Sequence, residues 1–304
     1  MEHYYHSRGK LLLTGEYVVL DGALALALPT RYGQGLLVNE FNGTALCWNS
    51  LDHEGNIWFE TVFELAELTK GSPAIPSTDI RETLLRLLQE AITLQPDFLG
   101  KVSGKKVTTT LEFPRKWGLG SSSTLINNIA QWAGVNAYIL LWNAFSGSGY
   151  DIACAQHDKP LLYQLHDSLP KVTTVTYDPP FAAHLFFVYL NRKQNSREGI
   201  ARYRGVTFDK PRLIREISEI TKAILQSSQL EEFQSLLQKH ENLLSHVLQL
   251  PGIQELQFQD YPGQIKSLGA WGGDFILAAG PENTPDYFIA KGFKTVLPYR
   301  DLIA

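Results

Sequence analysis

Four groups of residues in this chain have the types and spacing for chemistry on a charged ligand. The segment Gly118-Leu119-Gly120-Ser121-Ser122-Ser123-Thr124 places two glycines and three serines between a β-rich stretch, Val107 to Phe113, and an apolar helix expected from about Thr124. Glycine lets the backbone turn and approach a ligand closely, and the first N–H groups of a helix point at whatever lies before it. The loop is therefore an anion site in outline, although a strand-turn-helix capped by serine would use the same residues. Upstream stand Lys10 and Glu16, on either side of an apolar run. Downstream, no Asp, Glu, Lys or Arg occurs between Lys116 and Asp151, so Asp151 stands alone after Gly147-Ser148-Gly149-Tyr150. The fourth group is Gly269-Ala270-Trp271-Gly272-Gly273-Asp274, which by itself could be a hairpin or bulge.

These residues need elements to hold them. Strands are expected over Lys10 to Leu20, broken at Gly15, with Asp21-Gly22 as a hairpin turn. Further strands at Ala23–Leu28, Gly33–Val38, Thr44–Asn49 and Ile57–Leu65 make an antiparallel, twisted sheet, with a turn at Asp52–Asn56. Thr78 or Asp79 caps a helix carrying Ile80, Leu84, Leu87, Leu88 and Ala91 at helical spacing. Beyond the serine loop the apolar helical run breaks near Gly134 and resumes to Phe145; its interspersed Asn and Gln residues mark buried helices, not a membrane span. Tyr150-Asp151-Ile152-Ala153 opens a short helix, in which Asp151 could equally be a cap favoured by the helix dipole. After Asp178-Pro179-Pro180 a strand from His184, two helices over 209–227 and 230–250, and a final helix and strand form a separate α+β layer.

Composition narrows the partners. Lys and Arg total 27 against 31 for Asp and Glu, a formal charge of −4 with no block of like charge, which excludes a nucleic-acid stripe. Two cysteines, Cys47 and Cys154, fit a reducing compartment, and the first residues lack the pattern of a signal peptide. His157, His166, His240 and His246 are scattered over different elements and read as surface or satisfied residues.

Taken together and in order, Gly9-Lys10 through Glu16-Tyr17-Val18-Val19-Leu20, Gly118 to Ser123, and Gly269 to Asp274 resemble the three motifs of the GHMP kinase superfamily. Gly149-Tyr150-Asp151-Ile152-Ala153 resembles a branch of that superfamily named for those letters. Gly15-Glu16-Tyr17 and Gly272-Gly273-Asp274 resemble phosphomevalonate kinases more than sugar kinases.

The resemblance implies an α+β, two-lobed fold: an N-terminal domain, 1–178, with a mixed sheet and buried helices, and a C-terminal ferredoxin-like α/β sandwich, 179–304. It implies an ATP- and Mg²⁺-dependent cytoplasmic enzyme that phosphorylates a mevalonate- or phosphomevalonate-like small molecule, with no membrane partner and with a homodimer as one assembly it allows. A nucleotide-binding homologue without turnover and a diphosphomevalonate decarboxylase-like enzyme are the alternatives. Asp151 and Lys10 take the catalytic positions. Gly118, Leu119, Gly120, Ser121, Ser122 and Ser123 form the nucleotide cradle, Ser122 and Glu16 serve the metal, and Gly269, Trp271, Gly272, Gly273 and Ser196 line the acceptor. Two departures stand out. Mevalonate kinases carry a glutamate metal ligand before the catalytic aspartate, but Ser121 to Tyr150 holds no carboxylate. Trp271 occupies a place where the family has a small residue, and an indole there would narrow the cleft or stack on a ligand.

Overall fold

The structure, a computed structural model, describes residues 2–70, 79–99, 104–192, 196–269, 271 and 273–304. The chain divides into two compact units that interleave along the sequence: unit 1 is Met1–Gly9, Tyr32–Arg115 and Leu119–Gln156, and unit 2 is Lys10–Arg31, Lys116–Gly118 and His157–Ala304. The domain boundary expected at 178/179 falls inside unit 2.

Unit 1 is built from the first part of β1 (Glu2–Leu12), the later part of β2 (Ala25–Phe41), β3 (Ala45–Leu51), β4 (Ile57–Glu64) and β5 (Gly104–Leu111), with helices α1 (Leu65–Leu68), α2 (Ile80–Leu94), α3 (Ser121–Ala133), α4 (Ala137–Ala144) and α5 (Tyr150–Gln156). Its strands run in the order β4-β3-β5-β2; β3 pairs in parallel with β5, and the other two pairings are antiparallel, so the sheet is mixed, as the resemblance implies, and not antiparallel throughout as the strand pattern suggested. Asp52 closes the β3–β4 turn by accepting the Glu54 and Asn56 N–H groups. Asp79, not Thr78, is the observed cap of α2, accepting from the Glu82 N–H; Thr78 lies outside the described residues. Helix α3 stops where Gly134 turns left-handed at φ +68°, and Asn136 caps α4. Val107, Leu36, Trp48 and Phe63 of the sheet pack against Leu84 and Leu88 of α2 and Ile126 and Ile129 of α3 to form one buried core.

The polar residues of the apolar helical run are used inside this unit. Asn127 and Asn128 are buried; Ser7 of β1 donates to Asn128 Oδ1 at 2.7 Å and accepts from Asn127 Nδ2 at 2.8 Å, while Asn128 Nδ2 donates to the Gln34 carbonyl at 2.8 Å. A buried amide costs little when both its ends are bonded. No described helix is long and apolar enough to cross a membrane.

Unit 2 holds the end of β1, the first residues of β2 paired with β6 (Leu161–His166), and β7 (Leu169–Thr174) beyond it. Its later part contains β8 (Leu185–Tyr189), α6 (Ser196–Gly205), α7 (Lys210–Gln226), α8 (Leu230–Leu248), α9 (Ile253–Gln257), β9 (Gln264–Ser267), β10 (Phe275–Ala279), α10 (Thr284–Ala290), β11 (Val296–Pro298) and α11 (Tyr299–Leu302). The four strands of this part lie in the order β11-β8-β10-β9, all antiparallel. Helices α7 and α8 join its first strand to its second, and α10 its third to its fourth, which is the split βαβ of a ferredoxin-like layer.

Two stretches differ from the sequence expectation. Residues after Gly15 do not form a second strand: Val18–Asp21 is a turn of 3₁₀ helix ended by Gly22 at φ +89°, and Val18 and Val19 are buried by it. The strands expected at Ala23–Leu28 and Gly33–Val38 are one continuous strand, β2, because Pro29 to Tyr32 stay extended between them. Helix α6 has few apolar positions, which is why the sequence pattern shows no helix there.

Candidate active site

In unit 1 the serine loop leads straight into α3. Gly120 stands at the N-cap with φ +91°, a conformation open to glycine, and places no side chain over the helix end. The helix starts at Ser121, three residues earlier than expected, because the Ser123 hydroxyl donates to the Gly120 carbonyl at 2.8 Å and Thr124 N–H donates to the same carbonyl at 3.0 Å. Thr124 also donates to Gln34 Oε1 at 2.7 Å, tying the first turn to β2. Ser123 and Leu119 are thus buried and structural, whereas Ser122 is exposed on the first turn and Ser121 half-exposed. The first turn carries no acidic residue, so the positive end of the helix is uncompensated by its own side chains.

Asp151 sits in the first turn of α5, half-buried, between the buried Ile152 and Gly149, which is held at φ +88°. The Tyr138 hydroxyl is pushed well above its ordinary range, by burial first and then by the Cys154 and Asp151 charges, which places Asp151 within electrostatic reach of α4.

Unit 2 gathers the other motifs. Lys10, at the end of β1, donates from Nζ to the Gly118 carbonyl at 2.9 Å. Gly118 is left-handed at φ +67°, and a Cβ there would come 1.9 Å from Asp274 Oδ2, so the carboxylate of the third motif lies directly against the glycine of the second. Trp117 meets Phe275 edge-on with ring centroids 5.6 Å apart. The lysine is fixed on the loop by these contacts, two residues before Gly120.

Glu16, expected to serve a metal, is 2 % exposed; its Oε1 takes Lys266 Nζ at 2.5 Å, and its Oε2 lies 3.4 Å from His240 Nε2. That surrounding is a buried ion pair. Lys266 is itself fully buried, donates to the Ser267 carbonyl at 2.8 Å and stands 3.5 Å from Glu241 Oε1. His240 Nε2 accepts the Gly15 N–H at 3.0 Å, so this nitrogen carries no proton; burial and then the Lys266 charge hold the imidazole neutral. Two carboxylates therefore share one ammonium. Burial pushes Glu16 up to about 7 against the pull of Lys266, and raises Glu241 as well.

In the third motif, Gly269 is left-handed at φ +70° and Gly273 is buried. Trp271 donates its backbone N–H to the Tyr17 hydroxyl at 2.7 Å and its indole N–H to the Pro251 carbonyl at 3.1 Å, and the ring packs with Tyr17, Leu250 and other apolar residues of unit 2. The indole is thus anchored in its own layer. Gly272 lies outside the described residues, and Ser196 opens α6. Lys266 was not singled out beforehand, Tyr17 and Asp274 were named only as members of their motifs, and His240, read as a surface or satisfied residue, is buried and bonded. A signal existed for two of them: Lys266 is the lone charge in a buried strand, and His240 falls on the apolar face of α8 with Phe233, Leu237 and Leu244.

Both groups that the resemblance implies can be tested against these surroundings. The uncapped start of α3 with two outward-facing serines fits a phosphate chain. Magnesium seeks oxygen, and Ser122 offers an exposed hydroxyl on the same turn. Among the described residues no group of three or more His, Cys, Asp or Glu gathers that could hold a metal, so phosphate oxygens would carry most of its coordination.

No protein-family model and no curated protein matches the sequence. Solved structures do match over nearly the whole chain. Mevalonate kinase from Methanococcus jannaschii is 16 % identical with a TM-score of 0.70, covering 96 % of this chain and 94 % of its own. Phosphomevalonate kinase from Streptococcus pneumoniae, solved with phosphomevalonate and AMPPNP, is 18 % identical with a TM-score of 0.66, covering 91 % and 92 %. The chain has the GHMP kinase fold. A third GHMP-type structure, the D-glycero-D-manno-heptose 1-phosphate kinase from Bacteroides thetaiotaomicron, is 15 % identical with a TM-score of 0.67, covering 100 % and 96 %. The GHMP-type α+β fold implied by the three motifs is therefore the observed one.

Proposed function

We propose that the chain is an ATP-dependent small-molecule kinase that transfers the γ-phosphoryl group to a mevalonate- or phosphomevalonate-like acceptor. The observation that carries this reading is the Lys10 ammonium fixed at 2.9 Å on the Gly118 carbonyl, just ahead of an uncapped helix start, in a chain of GHMP kinase fold. The N–H groups at the start of α3 and the Ser121 and Ser122 hydroxyls bind the triphosphate. Mg²⁺, when bound, neutralises charge on the transferring phosphate, with Ser122 as its protein ligand. Lys10 adds positive charge at the loop. Asp151 accepts the proton of an acceptor hydroxyl or orients it; if the acceptor is a phosphate monoester, already largely ionised, Asp151 serves mainly for orientation. The acceptor class is supported by the Gly15-Glu16-Tyr17 and Gly273-Asp274 sequences and by the mevalonate-type neighbours. The same reading places the enzyme in the cytoplasm and allows a homodimer.

The test is transfer of phosphate from ATP across mevalonate, phosphomevalonate, homoserine and sugars, with Asp151→Asn alongside. Transfer to one acceptor, lost in the variant, is the expected result. Binding of ATP without transfer to any acceptor refutes the proposal, and release of carbon dioxide from diphosphomevalonate replaces it with a decarboxylase.

A further inference from the structure

The turn that follows β1 is bonded, residue after residue, to different elements of unit 2. The Thr14 hydroxyl meets that of Thr221 on α7 at 2.8 Å, the Gly15 N–H reaches His240 on α8 and the Glu16 carboxylate takes Lys266 at the end of β9. Tyr17 completes the series, its hydroxyl accepting the Trp271 N–H at 2.7 Å.

Tyr17 differs from its neighbours in its backbone. At φ +62° and ψ −47° it occupies a region that side chains other than glycine rarely adopt. Its ring is 6 % exposed and stacks on Tyr203 at 5.8 Å. A Cβ added to Gly199 would lie 2.5 Å from the Tyr17 hydroxyl, so the backbone of α6 passes close to the oxygen that receives Trp271 and leaves no room there for a side chain. Packing alone does not ask for that oxygen, since phenylalanine fills the same space. Strain retained at a buried tyrosine whose hydroxyl holds the backbone of a glycine-rich loop marks a device that sets the position of the loop.

We propose that Tyr17 is a positioning residue for the acceptor-side loop: its hydroxyl fixes Trp271, and through it Gly269 and Gly273, in the space that Gly199 of α6 leaves open. The inference rests on the kinase reading for the loop's role. Trp271 then serves the reaction as an anchor, with Pro251 as its second hold, and does not project toward a ligand.

The experiment compares Tyr17→Phe and Gly199→Ala with the wild type. Tyr17→Phe keeps the ring and the backbone and deletes one oxygen; Gly199→Ala keeps Tyr17 and crowds its hydroxyl. Both are expected to raise amide exchange at Trp271 at least tenfold. Both are expected to raise the acceptor KM at least fivefold while kcat and the KM for ATP stay within twofold. Unchanged exchange at Trp271 overturns the proposal, and so does faster exchange with an unchanged acceptor KM. A wild type that transfers phosphate to no acceptor refutes the kinase reading and, with it, the acceptor half of this inference; the exchange measurement still decides whether the hydroxyl holds the loop.

Discussion

Replacing Lys266 by methionine removes the one ammonium from a buried site that holds two carboxylates. Methionine matches the length of the lysine stem, so the loss is chiefly of charge. Lys266 Nζ lies 2.5 Å from Glu16 Oε1 and 3.5 Å from Glu241 Oε1, and all three residues are buried. Breaking a buried pair from one side costs about 3–5 kcal/mol. The cost must depend on pH. Glu16 titrates at about 7 in the fold against an ordinary 4.5, so its contribution is fully present below about 4.5 and falls by about 3 kcal/mol as pH rises through 7. In the wild type that decline ends near 7. Without Lys266 both carboxyls titrate higher still, and the variant goes on losing stability above 7. Thermal unfolding followed by near-UV circular dichroism should therefore show a modest deficit for Lys266→Met at pH 5.5 and a drop on the order of 10 °C at pH 8.5. Adding Glu241→Gln should recover part of it. A deficit equal at both pH values, or none at pH 8.5, refutes the reasoning.

Three further outcomes follow from other contacts. Asp151→Asn is expected to lower kcat on a hydroxyl acceptor by about 10²–10⁴ with the unfolding midpoint unchanged, measured by coupled release of ADP. Gly118→Ala forces a methyl to within 1.9 Å of Asp274 Oδ2 at φ +67°; a loss of about 1–3 kcal/mol and weaker ATP binding by calorimetry are expected, and wild-type affinity would contradict the role given to the loop. Thr221→Val removes the hydroxyl that meets Thr14 and donates to the Leu24 carbonyl, and urea unfolding should show a loss of about 1–3 kcal/mol from the unsatisfied groups.

Local chemistry made much of the fold readable. Gly134 and Asn136 end one helix and begin the next as their types require, and Asp79 and Asp52 cap and turn where acceptor side chains were expected. The α+β layer after Pro180 followed from its alternating helices and strands, and its ferredoxin-like arrangement from the resemblance. What stayed hidden depended on distant partners. The burial of Glu16 was hidden because nothing nearby in sequence neutralises it; its partner is Lys266, 250 residues away. The hold on Trp271 was hidden because the Tyr17 hydroxyl and Pro251 carbonyl that receive its N–H groups are supplied by separate segments. Likewise, Val18-Val19-Leu20 has the composition of a strand, but the left-handed Gly15 and Gly22 close it into a single turn of helix.

The four bonds of Thr14 to Tyr17 also bear on how this segment can change in length. Each residue answers to a different element, and Lys10 reaches Gly118 from only a few residues upstream. An alanine inserted after Leu13 would hand every partner the wrong neighbour at once, and no single compensating substitution could restore the set. The distance from the lysine to the tyrosine is thus counted residue by residue, and drift in this chain is confined to exchanges that leave the count intact.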